Sequence, residues 1–397
     1  MGKKEFTRRD FLKTAGAITA MTVLSDIPST LFAEERKLVR FPEKTELILL
    51  TSRPPQLETP LHYFKELITP NEALFVRWHI ANIPTSVDLT KWRLKINGNV
   101  KQPFELSMED LKSKFEKVSY TAVIQCSGNG RSFFNPRVAG GQWKNGAMGN
   151  VTWSGVRLKD ILNMAGIKIG SVEVAFNGLD SGPLSSVPDF VKTLPIDKAL
   201  EEDIIVAYEM NGKPLPMLNG FPARLVVPGW YATYWVKALI EITVLDKPFE
   251  GFWMKTAYRI PDNPCGCVEP GTNPKKTVPV SRMTTRSLII EPQDGAIFKR
   301  GREINIMGIA FSGGYSIKDV IVSIDGGTTW HTTRLGKDLG RYSWIQWFYS
   351  FKPTKSGKYV LMARATNSIG ESQPFESLWN PAGYLWNKIE KIEIVVE

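Results

Sequence analysis

The chain has 397 residues, 43% of them hydrophobic and 23% charged, with 50 Lys and Arg against 40 Asp and Glu for a formal net charge of +10. That is an ordinary globular mix, long enough for two domains and a short extra segment. It carries no dense basic stripe and no nucleic-acid motif, so the positive balance points to anionic ligands or an acidic partner protein rather than to DNA or RNA. Its three cysteines, Cys126, Cys265 and Cys267, are too few for a disulfide-stapled scaffold. They also lack the spacing of an iron–sulfur site or of a covalent haem attachment.

The first 33 residues read as a targeting segment. Thr7-Arg8-Arg9-Asp10-Phe11-Leu12-Lys13 is followed by an apolar run from Ala15 to Leu24, with Ala33 as the cleavage point. This is the pattern of a twin-arginine signal, and the run is too short to span a bilayer. Twin-arginine export moves folded cargo to the periplasm, which favours a cofactor inserted before export. No later segment is apolar for long enough to cross a membrane, and no repeat of 20–50 residues is evident.

Residues 34–70 read as irregular and Pro-rich, wrapping the surface. Trp92–Ile96 and Tyr120–Gln125 read as strands, Val156–Ala165 as a short amphipathic helix, and Ser171–Phe176, Arg224–Val227 and Ile240–Leu245 as further strands. Pro and Gly cluster across Ile260–Pro279 as a linker or functional loop. Beyond it come short strands with turn signals between them: Ser287–Glu291, Glu303–Ala310, Asp319–Ser323, Ser343–Phe351, Lys358–Ala365 and Lys391–Val396. Asp325-Gly326-Gly327 marks a tight turn. The expectation is an α+β chain: a mixed domain over 34–262, a linker over 263–282, and an immunoglobulin-like β-sandwich over 283–397 without a Cys pair.

The stretch Gln125-Cys126-Ser127-Gly128-Asn129-Gly130-Arg131 carries the most chemistry. A strand delivers a thiol into a Gly-rich turn, with an Arg five residues on. A thiolate is a soft ligand for a transition metal, and the glycines let backbone approach a bulky group. On composition alone, a lone Cys at a strand end is more often a core residue. Cys265-Gly266-Cys267 places two thiols one residue apart, a spacing that does not easily reach relaxed disulfide geometry. These two are expected on a loop beside the site entrance and have no assigned role.

The Cys126 segment resembles the molybdenum-ligand motif of the sulfite oxidase family, and the resemblance runs over about residues 60–397. It implies molybdenum with one pyranopterin dithiolene (molybdopterin), Cys126 being the single protein ligand. Phe75-Val76-Arg77-Trp78-His79 is similar to the family's Phe-x-Arg-x-His pattern, implying an active-site Arg77 and a pterin-side His79. Trp143 and Trp153 match a Trp pair whose first member lines the substrate pocket. The run from Ala207 to Gly229 resembles the segment that wraps the pterin and its phosphate. Arg224 and Lys237 are its anion holders, and Asn219 stands where animal members carry a pterin-contacting His. Tyr258, five residues after Trp253, fits the family's active-site Tyr. The family's third pocket cation, from the C-terminal domain, has no identified counterpart here.

The resemblance implies oxidation of sulfite to sulfate. Arg77 and Arg131 offset substrate charge and Tyr258 orients it, electrons pass singly to an external c-type cytochrome, and a homodimer forms through the C-terminal domain. The alternative within the fold is a sulfane dehydrogenase component of a thiosulfate-oxidising complex. Nitrate and sulfoxide reductases share parts of the pattern but differ in domain content. A cofactor-free secreted binding protein built from β-sandwiches is the alternative from another class.

Overall fold

The computed structural model describes residues 36–397, so the signal segment lies outside the described residues. The first strands form where irregular chain was expected. Leu38–Arg40, Glu46–Ser52, Pro55–Glu58 and Val76–Arg77 pair into an antiparallel sheet. The flanking prolines mask this in the sequence. Leu47 and Leu57 point inward and are fully buried beside Val76 and Trp78, which satisfies a short sheet despite them.

Two five-stranded sheets build the larger core. One runs in the order Lys192–Pro195, Glu173–Gly178, Leu239–Leu245, Leu94–Gly98 and Phe104–Leu106, with Leu239–Leu245 parallel to Leu94–Gly98. The other is antiparallel: Lys213–Pro214, Ile205–Met210, Met148–Arg157 and Lys117–Gln125, with Arg224–Val226 also paired to Ile205–Met210. Several expected boundaries shift. Val156 belongs to a strand, because Thr152 to Val156 pair with Thr121 to Lys117, and the helix starts only at Leu158. That helix, Leu158–Ala165, ends on Gly166 at φ 68, a left-handed cap that glycine reaches without strain. Trp153, Val156, Ile161, Phe176, Val206, Leu225, Trp235 and Ile242 fill the space between the layers.

The C-terminal part is β-rich. One sheet orders Arg286–Glu291, Ile304–Phe311, Ile345–Phe351 and Arg334–Leu335; the other orders Ile297–Phe298, Lys391–Val396, Gly357–Asn367, Ile317–Ser323 and His331–Thr332. Their shared core includes Ile306, Val322, Trp347, Leu361 and Ile394. The expected linker is a loop closed by paired strands Arg259–Pro261 and Thr277–Pro279. Within it Cys265 and Cys267 form a disulfide, against expectation, with Cα atoms 5.1 Å apart. Gly266 between them adopts φ 59, which turns the chain tightly enough for the two side chains to meet.

Residues 38–397 form one compact unit, and polar contacts hold the β-rich part against the mixed sheets. Val123 N–H donates to the Tyr342 carbonyl at 2.8 Å, and Asn150 Nδ2 donates to Ser343 Oγ at 2.8 Å. Arg286, fully buried, donates from Nη2 to Asn145 Oδ1 at 2.5 Å and to Glu390 Oε1 at 2.7 Å. Glu390→Ala would strand a buried guanidinium. The expected loss is about 3 kcal/mol of stability by chemical denaturation, and a change below about 0.5 kcal/mol would remove this ion pair from the account of how the two parts are held.

Candidate functional site

Strand Lys117–Gln125 ends by delivering Cys126 to a loop that is hydrogen-bonded at nearly every residue. Cys126 N–H donates to the Ala147 carbonyl (2.9 Å), Gly130 N–H to Lys144 (2.7 Å) and Arg131 N–H to Gly128 (3.0 Å). Asn129 Oδ1 accepts from Ala147 N–H at 3.0 Å. Gly130 sits at φ 87, where a Cβ would lie 2.4 Å from the Trp386 ring, so only glycine fits.

Cys126, Arg77 and Tyr258 line two spaces at once. The inner cavity is also lined by Phe75, His79, Ser127, Asn219, Arg224, Thr233 and Lys237. The outer cleft adds Gln56, Arg131, Trp143, Trp253, Ala382 and Tyr384. All nine residues singled out in the sequence therefore converge, Arg131 and Trp143 on the outer side and His79, Asn219, Arg224 and Lys237 on the inner side. Residues 77 and 258 are far apart in sequence, and strand pairing and the Phe252–Lys255 helix bring them to the same thiol.

The inner cavity concentrates positive charge. Arg224 donates from Nη1 to the Asn219 carbonyl (2.7 Å) and from Nη2 to Trp235 (3.0 Å), and it lies over the Trp153 ring at 4.9 Å. Burial pushes it down to about 9. Burial and then Arg224 push Lys237 down to about 7, and its ammonium sits 4.6 Å over Trp78. His79 is held neutral, well below its ordinary value, by burial and then by Arg77. Its Nε2 shares a hydrogen bond with the Tyr258 hydroxyl, and its ring stacks on Phe190 at 3.7 Å. Tyr258 adopts φ 59, a left-handed conformation costly for a bulky residue, and its carbonyl accepts from Val280 N–H at 2.9 Å. Such strain is characteristic of functional positions.

Sequence reasoning missed four contributors. Lys44 is buried, donates to Asn71 and Leu74 carbonyls (2.8 and 3.0 Å) and to Asn219 Oδ1, and is pushed down to about 7 by burial. Lys192 is buried behind Tyr258. Tyr384 stacks on Tyr258 with ring centres 5.6 Å apart, and Ala382 offers its carbonyl to Arg131 Nε at 3.2 Å. A Lys inside the apolar stretch Phe190–Leu194 was a readable signal. Tyr384 lies in a C-terminal stretch whose resemblance to the family marks a dimerisation domain rather than the site, and Lys44 and Ala382 lay in segments with no pattern to mark them.

Residues 80–253 match the oxidoreductase molybdopterin binding domain family, residues 277–397 the Mo-co oxidoreductase dimerisation domain family, and residues 5–25 the twin-arginine translocation pathway signal sequence. The chain is 33% identical over 364 residues to mitochondrial sulfite oxidase of Mus musculus, an alignment covering 87% of this chain and 65% of that protein. It is 32% identical over 360 residues to sulfite oxidase of Gallus gallus, covering 87% and 77%. The chain thus spans just under two thirds of the mouse protein's length. Among solved structures it is similar to the sulfane dehydrogenase SoxCD from Paracoccus pantotrophus, with a TM-score of 0.73, 26% identity and coverage of 94% and 92%. The signal match puts the protein on the twin-arginine route to the periplasm. Among the described residues no helix is long and apolar enough to cross a membrane.

The residues present fit a molybdopterin group. His79 Nδ1, Ser127 Oγ, Arg224 Nε and Thr233 Oγ1 line the inner cavity buried and without a hydrogen-bond partner, a set of polar groups matched to a polar, anionic ligand. Among the described residues no three His, Cys, Asp or Glu side chains gather to hold a metal, so a metal at Cys126 must bring most of its ligands with it. In the cofactor-free protein Lys44 and Lys237 sit near 7, below the 10.5 of an unfolded lysine. The unfolded chain then binds more protons between about pH 7 and 10.5, so stability rises with pH across that window and the penalty is fully present below it. The melting temperature of cofactor-free protein is expected to climb from pH 7 to 9.5, and that of loaded protein to stay flatter because an anion restores the charged lysines. Parallel curves would contradict this.

Proposed function

Since this chain belongs to the sulfite-oxidase family of molybdenum-cofactor oxidoreductases, we propose that it oxidises a sulfane sulfur carried on a thiol, rather than free sulfite, and passes the electrons to an external acceptor. The observation that carries this reading is the make-up of the outer cleft. Arg77 and Arg131 are its cations, and the C-terminal segment contributes Ala382 and Tyr384 where a third cation would serve a free dianion. Arg131 is already committed, donating from Nε to Ala382 and from Nη1 to Gly141 (3.2 Å each). The remaining wall is Trp143, Trp253, Tyr258 and Tyr384, which suits a polarizable sulfur chain with less charge than sulfite. The likeness to a sulfane dehydrogenase over 94% of this chain supports the same reading. Free sulfite is the second reading, favoured by the higher identity, 32–33%, to sulfite oxidases.

In this account Cys126 is the metal's protein ligand, a soft thiolate suited to it. His79, Asn219, Arg224 and Lys237 hold the pterin and its phosphate, the two cations facing the anionic part. The bound molybdenum group supplies the two-electron oxidation of sulfur. Arg77 and Arg131 draw in the terminal persulfide sulfur, anionic at neutral pH, in a partly dry cleft, where such pairing is stronger than in water. Trp143 lines the cleft, and Tyr258 orients the substrate while neutral His79 fixes its hydroxyl. We take the acceptor to be a periplasmic c-type cytochrome. We read residues 34–262 as the cofactor-binding domain and 263–282 as the linker. Residues 283–397 are then an immunoglobulin-type sandwich through which two copies pair.

Elemental analysis of purified protein is expected to find about one molybdenum per chain, lost in Cys126→Ser. Loaded enzyme is then assayed by cytochrome c reduction with free sulfite and with a persulfide on a carrier-protein thiol. Turnover at least tenfold faster on the persulfide supports the proposal, and the reverse order overturns it in favour of sulfite oxidation. Arg77→Gln is expected to keep its molybdenum and lose about 100-fold in kcat/KM; a loss under twofold would remove Arg77 from the charge-pairing role.

A further inference from the structure

Lys192 opens the edge strand Lys192–Pro195 and is fully buried. Its ammonium donates to the Trp253 carbonyl at 2.7 Å and lies 4.8 Å from the centre of the Tyr234 ring and 5.1 Å from that of Tyr258. Arg259, His79, Tyr234 and Tyr258 are the titratable and charged groups that face it, and the charge that bears on it most is Arg259, another cation. A buried ammonium without a carboxylate is costly, and a Met of similar length would fill the same space. Packing therefore does not account for a lysine here. Two aromatic faces and one carbonyl stand in for its lost hydration.

The ring it covers is the one that faces the cleft. Tyr258 stacks on Tyr384 at 5.6 Å with 3° between planes, and the Arg131 guanidinium lies 5.1 Å over Tyr384. Two stacked phenols are thus flanked by two cations. The same strand region holds the other partner of the hydroxyl: Phe190, two residues before Lys192, stacks on His79, whose Nε2 shares a hydrogen bond with Tyr258. A positive charge over the face of a phenol draws electron density from the oxygen–hydrogen bond into the ring, which makes the hydroxyl a stronger donor.

We propose that Lys192 is the third cation of this site, a positioning residue that acts on an oxyanion bound in the outer cleft by polarising the Tyr258 hydroxyl rather than by touching the ligand. The proposal rests on the reading of the outer cleft as the substrate side. It explains how the cleft can lack a cation from the C-terminal segment and still favour an anionic oxygen. Burial pushes Lys192 down to about 7, so the tests are run at pH 6, where the ammonium prevails.

Molybdenum-loaded wild type, Lys192→Met, Lys192→Arg, Tyr258→Phe and the double variant Lys192→Met/Tyr258→Phe are titrated with inorganic sulfate by calorimetry. Lys192→Met is expected to weaken sulfate binding about tenfold with molybdenum content unchanged, and Lys192→Arg to restore most of it. In the Tyr258→Phe background, Lys192→Met should change binding less than twofold, because its route to the ligand is already gone. Independent losses that multiply in the double variant overturn the proposal and leave Lys192 a packing residue. An absence of sulfate binding by the wild type at millimolar concentration overturns it as well. Should Lys192→Met fail to accumulate, Lys192→Gln keeps a donor to Trp253 without the charge and carries the same comparison. Sulfate binding needs no turnover, so a failure of the sulfane reading in the cytochrome assay is distinguishable from a failure here.

Discussion

Buried positive charge in excess of buried negative charge is the constraint around which this structure is arranged. Arg224 and Lys237 border one cavity, with Lys44 hydrogen-bonded to the Asn219 that lines it, and burial depresses all three. Asp180 is the acid that bears on Lys237; burial raises it to about 6, so it is largely ionised at neutral pH and offsets one of these charges. An interior so arranged is costly until an anion enters. The unpartnered donor at Arg224 Nε and the unpartnered ring nitrogen His79 Nδ1 point the same way. On the proposed reading, a multiply charged pterin phosphate would supply what the polypeptide withholds.

That demand explains the rigidity of the frame around the thiol. The Cys126 loop is tied at its backbone to the Lys144–Ala147 segment, and that segment is tied in turn through Asn145 to the Arg286–Glu390 pair. The β-rich part is thereby a wall of the site as well as a separate layer: Ala382 holds Arg131 in place and Tyr384 lies against Tyr258. The division between inner cavity and outer cleft falls at Cys126, Arg77 and Tyr258, so on the proposed reading cofactor and substrate would meet across three side chains set by three distant segments. A second copy of the chain engaged through the C-terminal part would bear directly on the cleft for the same reason.

The sequence by itself determined the elements whose signals are local. Strand Lys391–Val396 was placed to the residue, the two-part division was read from the change in turn spacing, and the resemblance of the short motifs around Arg77, Cys126, Asn219 and Tyr258 to those of the sulfite oxidase family named the side chains that converge. These are legible because alternation, glycine placement and motif spacing are properties of neighbours in the chain. The sheet formed by residues 38–77 was not legible. Its strands are short and broken by prolines, and they are stabilised by pairing with one another and by burial of Trp78 rather than by their own propensity. The Cys265–Cys267 bridge likewise depends on the turn that Gly266 takes in place. Lys44, Lys192, Ala382 and Tyr384 gain their meaning only from what lies across the cavity from them. Tertiary structure decided how many cations face the cleft, because charge and burial are set by distance in space, which spacing along the chain does not encode.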